Sequence, residues 1–170
     1  MDVNAIPEYY QESASYPAVC VERENVTYAK EMLDNVGGNN SEMSAVGLYF
    51  YNSVILNSYK NLSEIFHRIS IVEMHHLDIF ARMASQLGED PRLWTQKGSR
   101  DIYWSPSYNR YPRDLKALLI NALEGEKAAI DKYERQVRMT EDKNIVENLK
   151  RIIKDEQVHV EIFQTLLACY

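Results

Sequence analysis

The sequence predicts an all-α protein, a four-helix bundle in which two antiparallel helical hairpins are joined by one long crossover. Three observations point there. Four long stretches carry apolar residues at alternating spacings of three and four. Strand signals are weak throughout, and the few Gly and Pro (six and five) mostly gather between those stretches, where they read as punctuation.

The elements follow in chain order. Residues 1–24 are polar, Tyr-rich and without clear period. A short helix is predicted over Val26–Asn35 and interrupted at Gly37-Gly38, so residues 1–35 read as an N-terminal extension and residues 36–170 as the bundle domain. Ser41 opens the first bundle helix, which runs to about Tyr59. The second covers Ser63 to about Leu87 and is stopped by Gly88 and Pro91. Gly88–Pro112 has no helical period and holds two Trp, three Tyr and three Pro; a connection this long can run the length of a bundle, and its aromatics are expected to cover the bundle or a subunit interface. The third helix starts after Pro112 and reaches about Met139. The fourth covers about Asn144–Ala168.

Bulk properties exclude several classes. A chain of 170 residues is the size of one domain. A net charge of -6 argues against a nucleic-acid partner. The N-terminus Met1-Asp2-Val3-Asn4 has neither the basic region nor the apolar core of a secretory signal, and no stretch approaches the ~20 apolar residues that span a bilayer. Cys20 and Cys169 form no CxxC pair and give no sign of a disulfide scaffold. A cytoplasmic protein without membrane contact is expected.

The informative feature is a core seam that is not apolar. In the second helix it reads Leu62, Phe66, Ile69, Glu73, His76, Phe80, Met83, Leu87. In the fourth it reads Leu149, Ile152, Glu156, His159, Phe163, Leu166. The third gives Leu119, Ala122, Glu126, Ala129, Tyr133, and the first Glu42, Ala45, Tyr49. Every helix thus places a carboxylate where the core should be, and two add an imidazole. Each unpaired buried carboxylate costs several kcal/mol even after relaxation, so four converging ones need cations among them, and metal is the simplest that fits.

The pattern also repeats. Glu73 to Glu156 and His76 to His159 are both 83 residues apart. Glu42-Met-Ser-Ala45 with Tyr49 matches Glu126-Lys-Ala-Ala129 with Tyr133, and Glu73-Met-His-His76 matches Glu156-Gln-Val-His159. Two copies of one hairpin facing each other give a two-fold site of two Glu and two Glu-x-x-His motifs, the ligand set of carboxylate-bridged dimetal bundles. Tyr49 and Tyr133, in equivalent places, are predicted to hydrogen-bond to the bound carboxylates.

Neighbouring signals read differently. Glu64 and His67 share the Glu-x-x-His spacing but sit off the seam and read as a solvated pair. His75 and Glu124 read as surface residues. Asp155 is a candidate acceptor for an imidazole N–H across the bundle; its counterpart in the second helix is Val72, so that support is one-sided.

With these residues in place the chain resembles the ferritin-like superfamily, in particular rubrerythrin-type and bacterioferritin-like proteins, with the dimanganese catalases as relatives. The resemblance covers about residues 40–168 and is carried by Ser41-Glu42 with Tyr49, Val72-Glu73-Met-His-His76, Glu124-Gly125-Glu126-Lys-Ala-Ala-Ile and Asp155-Glu156-Gln-Val-His159. It implies that Glu73 and Glu156 bridge two metals, while Glu42 with His76 and Glu126 with His159 cap one each. Two departures stand out. Rubrerythrins carry a further carboxylate one turn after the third-helix ligand, where this chain has Ala129, and they usually carry a rubredoxin domain, for which no CxxC pairs are present. The chain stops near the end of the fourth helix, whereas ferritin cages usually add a short fifth, so a homodimer is expected rather than a cage.

Four carboxylates offset two divalent ions, and hard oxygen donors with two imidazoles suit iron first and manganese as well. The leading expectation is a non-haem di-iron or di-manganese oxidoreductase that reduces peroxide or O₂, with a separate protein as electron donor. The alternatives are a dimanganese catalase, which needs no donor, and a non-catalytic iron-binding or storage protein.

Overall fold

Side chains that accept backbone N–H groups fix most of the helix starts. The computed structural model describes residues 9–170; the first eight residues of the predicted extension lie outside them. Asn25 accepts from Tyr28 and opens α1 (Val26–Gly37), and Ser41 accepts from Ser44 and opens α2 (Glu42–Ile55). The third helix, α3 (Lys60–Gln86), follows a tight turn, with no side-chain cap. Asp114 accepts from Ala117 at the start of α4 (Leu115–Val137), and Asp142 from Asn144 and Ile145 at the start of α5 (Lys143–Cys169). The bundle is all-α apart from one small hairpin, as the apolar periodicity predicts. Among the described residues no helix is long and apolar enough to cross a membrane.

Packing pairs α2 with α3 and α4 with α5. Short connections at 56–59 and 138–142 make each pair antiparallel. The first bundle helix is shorter than its pattern indicates, because the chain turns at Leu56–Tyr59 and Ser63 Oγ donates to the Ser53 carbonyl at 2.7 Å. At 1.5 Å per residue the 14 residues of α2 cover about half of the 27-residue α3. Helix α1 packs on α3 along the remainder and buries Ala29, Met32, Leu33 and Val36. The bend between α1 and α2 depends on a close approach: a Cβ on Gly37 would lie 2.2 Å from the Trp94 backbone nitrogen.

The apolar interior divides into two clusters. One joins α1 to the C-terminal half of α3 and the N-terminal half of α5, with Phe80, Met83, Leu149 and Ile152 at its centre. The other joins α2 to the N-terminal halves of α3 and α4 and the C-terminal half of α5, around Phe66, Ile69, Leu119 and Phe163. Between them, on every long helix, lie the seam positions 73, 76, 126, 156 and 159, and the start of α2 at position 42. The polar layer is therefore a slab enclosed by two greasy ends.

The crossover is more ordered than its composition predicts. Strands β1 (Trp94–Lys97) and β2 (Arg100–Tyr103) pair antiparallel around Gly98, which takes φ +64. Four-residue strands with one buried position between them leave too little alternation to register in the sequence. The two Trp cover the bundle, as expected, with Trp94 packed on the first cluster and Trp104 donating to Ser44 Oγ at 3.0 Å beside Gly47, whereas Tyr103 and Tyr111 are exposed.

Candidate metal centre

All six predicted seam residues meet in the slab, and none is more than 2 % exposed. Their side chains form two overlapping groups of four, Glu42, Glu73, His76, Glu156 and Glu73, Glu126, Glu156, His159, each with its donor atoms within 4.8 Å of one another. Glu73 and Glu156 belong to both groups. The i,i+3 spacing of each Glu-x-x-His puts carboxylate and imidazole side by side on one helix face.

The imidazoles are oriented alike. His76 Nδ1 lies 3.2 Å from Glu73 Oε2 and 3.2 Å from Glu156 Oε1, with Glu42 Oε2 at 3.9 Å. His159 Nδ1 lies 3.0 Å from Glu73 Oε1 and 3.1 Å from Glu156 Oε2, with Glu126 Oε1 at 3.7 Å. Each Nε2 points away and donates: that of His76 to Asp155 Oδ2 at 3.0 Å, that of His159 to the Tyr10 carbonyl at 2.9 Å. An imidazole that spends its N–H on Nε2 aims a lone pair from Nδ1 into carboxylate oxygens, which is repulsive unless a cation or a second proton sits there. Glu73 Oε1 and Glu156 Oε1 are fully buried and have no hydrogen-bond partner among the described residues. Orphaned acceptors, inward lone pairs and four carboxylates around one point form a donor set that fits two divalent ions.

The electrostatics say the same. Burial, then the nearby Glu73 and Glu156 charges, hold the Glu42 and Glu126 carboxyls well above the usual carboxylate range. Burial alone would lower both histidines, but the surrounding carboxylates win and push them well above their ordinary value. Glu73 also suffers burial, yet the two imidazoles bring it below the usual range. Protons thus stand in where cations are called for, and metal binding displaces such protons.

The tyrosines behave as the repeat predicts, and across the bundle: Tyr49 of α2 donates to Glu126 of α4, and Tyr133 of α4 donates to Glu42 of α2. Burial, then those carboxylates, raise both phenols. Glu64 is exposed and pairs with Arg68 at 2.6 Å rather than with His67, and His75 is exposed against the Tyr16 ring. Glu124 is exposed at the rim of a cleft.

That cleft, of about 360 Å³, runs between α2 and α4 and reaches Glu42, Glu73, Glu126 and Glu156 from solvent. The histidine side is closed by the chain before α1, which runs along α5 in the opposite direction. Its contacts are Tyr10 O with His159, Glu12 N with Asp155, Ala14 O with Arg151, Ala18 O with Asn148 and Glu22 N with Asp142. Asp155 is the hub. It accepts from Tyr16 at 2.5 Å, from His76 and from Arg151 Nη1 at 2.5 Å, and although burial opposes it these bonds hold its carboxyl at about 2. Sequence reasoning found Asp155 but missed Arg151, Tyr16 and the Tyr10 carbonyl. Arg151 stands four residues before Asp155, a helical pairing distance that could have shown it; an aperiodic strap carries no such signal.

Comparison with known proteins fits this geometry. A curated protein of Clostridium acetobutylicum named probable manganese catalase is 26 % identical, over 88 % of this chain and 74 % of its own length. The crystal structure of a manganese catalase from Anabaena superposes with a TM-score of 0.83 at 19 % identity, covering 95 % of this chain and 80 % of that one. A Mycobacterium tuberculosis bacterioferritin superposes at 0.70 with 18 % identity, covering 86 % and 87 %. These structures show a shared ferritin-like four-helix fold. The family model described as Rubrerythrin matches residues 38–167, from just before α2 into the last turn of α5 and including every residue of the slab, and the chain belongs to the rubrerythrin family.

Proposed function

We propose that Glu42, Glu73, His76, Glu126, Glu156 and His159 hold two manganese ions and that the protein disproportionates hydrogen peroxide to water and O₂ with no outside electron donor. The observation that carries this reading is the pair of overlapping four-donor groups sharing Glu73 and Glu156. The names of the relatives from Clostridium acetobutylicum and Anabaena support manganese over iron, which the donor atoms alone do not separate.

Held by these residues, two manganese ions would supply the reversible two-electron couple that oxidation of one peroxide to O₂ and reduction of a second to water require. The chain does the rest. Glu73 and Glu156 belong to both ion positions; Glu42 with His76 and Glu126 with His159 complete one each. Tyr49 and Tyr133 each engage an oxygen of a cleft-side carboxylate and fix its rotation. The cleft is lined by the neutral amides of Asn40, Asn109 and Asn121 together with the charged Arg110 and Glu124. Ala129 lines it too, leaving room where the resemblance expects a further carboxylate.

The test is O₂ evolution from peroxide by protein loaded with manganese, with elemental analysis of protein purified without added metal. Half a mole of O₂ per mole of peroxide, with no reductant present, is expected. Manganese-loaded protein that evolves none overturns the proposal. The second reading, a di-iron oxidoreductase fed by a separate donor protein, rests on the same donors accepting iron; peroxide loss that requires a reductant and yields no O₂ selects it. A homodimer in a reducing cytoplasm completes the proposal, and size exclusion distinguishes that dimer from a storage cage.

A further inference from the structure

The 83-residue repeat makes the two halves of the slab chemically identical, yet the structure holds them differently. His76 Nε2 donates to a carboxylate, Asp155, whose other oxygen is clamped by Arg151 at 2.5 Å. Arg151 is itself buried, lies 4.0 Å from the Tyr16 ring centre, and donates to the Ala14 and Glu12 carbonyls. Among the described residues His159 Nε2 meets only a neutral acceptor, the Tyr10 backbone carbonyl. The cause lies in sequence: the residue before Glu156 is Asp155, and the residue before Glu73 is Val72. A charge-assisted hydrogen bond is roughly twice as strong as a neutral one, and an imidazole backed by a carboxylate is the more basic ligand.

We propose that the Asp155–Arg151–Tyr16 clamp makes the two ion positions unequal: the one built on Glu42 and His76 fills first and holds its ion more tightly, and the one built on Glu126 and His159 fills second and exchanges. Asp155 is a positioning residue here, acting on the ion through His76. The inference rests on the metal-centre reading above and adds an order of filling to it.

Manganese(II) is the probe, titrated into the metal-free full chain in competition with a chelator of known affinity. Wild-type protein is expected to bind in two resolved steps separated by about 10–100-fold, the range over which such outer hydrogen-bond partners change metal affinity. His159→Ala is expected to keep one ion at close to the first-step affinity, whereas His76→Ala loses that step. Asp155→Asn is expected to weaken the first step about 10–100-fold and leave the second unchanged, which a general loosening of the fold would not do. Tyr16→Phe, a milder variant that keeps the carboxylate, shifts the first step in the same direction by less.

Two ions bound with one affinity, or His76→Ala and His159→Ala behaving alike, overturn this inference and leave the metal centre standing. A wild-type chain that takes up no ion overturns both.

Discussion

Tyr49 on α2 donates its hydroxyl to Glu126 on α4, and the mirror-image bond runs from Tyr133 on α4 to Glu42 on α2. Each ring is also packed into a different apolar cluster, Tyr49 against Phe66 and Phe163, Tyr133 against Phe80. Phenylalanine keeps that packing and removes only the donor. With both carboxyls held well above the usual carboxylate range in the metal-free protein, these are bonds between neutral groups, worth about 0.5–1.5 kcal/mol each, and for a chain of this length 1 kcal/mol is worth roughly 2–4 °C. Tyr49→Phe and Tyr133→Phe in the metal-free protein are therefore expected to lower Tm by roughly 1–6 °C, and by similar amounts. Calorimetry on the two variants checks this; a loss confined to one would show that the repeat is not energetically two-fold.

Glu126 illustrates a site kept at the expense of stability. It is buried, and the Glu73 and Glu156 charges add to the burial in opposing its ionisation. Replacing buried ionic groups with neutral ones of the same shape is often neutral or stabilising by about 1–4 kcal/mol. Glu126→Gln is expected to raise the Tm of metal-free protein at pH 7.5 while weakening manganese uptake. Wild-type protein should show the complementary effect: an ion at 100 times its dissociation constant adds about 2.7 kcal/mol, so chelation should cost roughly 5–11 °C. A metal-free Glu126→Gln less stable than wild type would mean that repulsion does not dominate this layer.

The pH dependence of the metal-free chain follows from the directions of the shifts. His76, His159, Glu42 and Glu126 are all raised. Groups of this kind bind protons more tightly when folded, so their contribution is complete below the unfolded values, about 6.5 for His and 4.3 for Glu, and is lost as pH rises through the folded ones. Glu73 and Asp155 are lowered, and what they contribute is lost as pH falls below about 4. Metal-free protein should be most stable at about pH 4.5–6.5 and weaken toward pH 8. Urea titrations at half-unit intervals, with chelator present, test the sign: stability that climbs from pH 6 to 8 contradicts it.

How much of this was legible in the sequence depends on how local each interaction is. Glu73 with His76 and Glu156 with His159 are three apart on one helix, so a 3.6-residue period exposes them, and the repeat of the hairpin, in which Glu42 and Glu126 stand 84 residues apart, extends the reading to those two. The Tyr49–Glu126 bond spans 77 positions; the repeat pointed to a carboxylate partner for Tyr49 but not to which carboxylate. Nothing comparable marks the contact of Tyr10 with His159, 149 positions apart and made through a carbonyl that has no side-chain identity. Arg151 was hidden differently: a charged residue at a helix position reads as solvated surface, and only the strap laid over it makes it core. The β1–β2 hairpin was lost because its strands are four residues long and mostly exposed.

Arg151 gives the sharpest test of the strap. It is 5 % exposed, and its three described hydrogen bonds go to the Ala14 and Glu12 carbonyls and to Asp155. Methionine at this position preserves much of the aliphatic volume but strips the buried Asp155 carboxylate of its cation, and breaking a buried pair from one side costs about 3–5 kcal/mol. Arg151→Met should therefore lower Tm by roughly 6–20 °C. Before global unfolding it should also release the segment around residues 12–18, since the strap loses two of its carbonyl anchors and Asp155, which accepts from Glu12 N, loses the partner that positions it. Hydrogen exchange resolved by peptide reads this directly: faster exchange in that segment, with α4 protected as before, is the expected pattern. Unchanged protection there would mean that the strap is held by its aromatic contacts and not by the guanidinium.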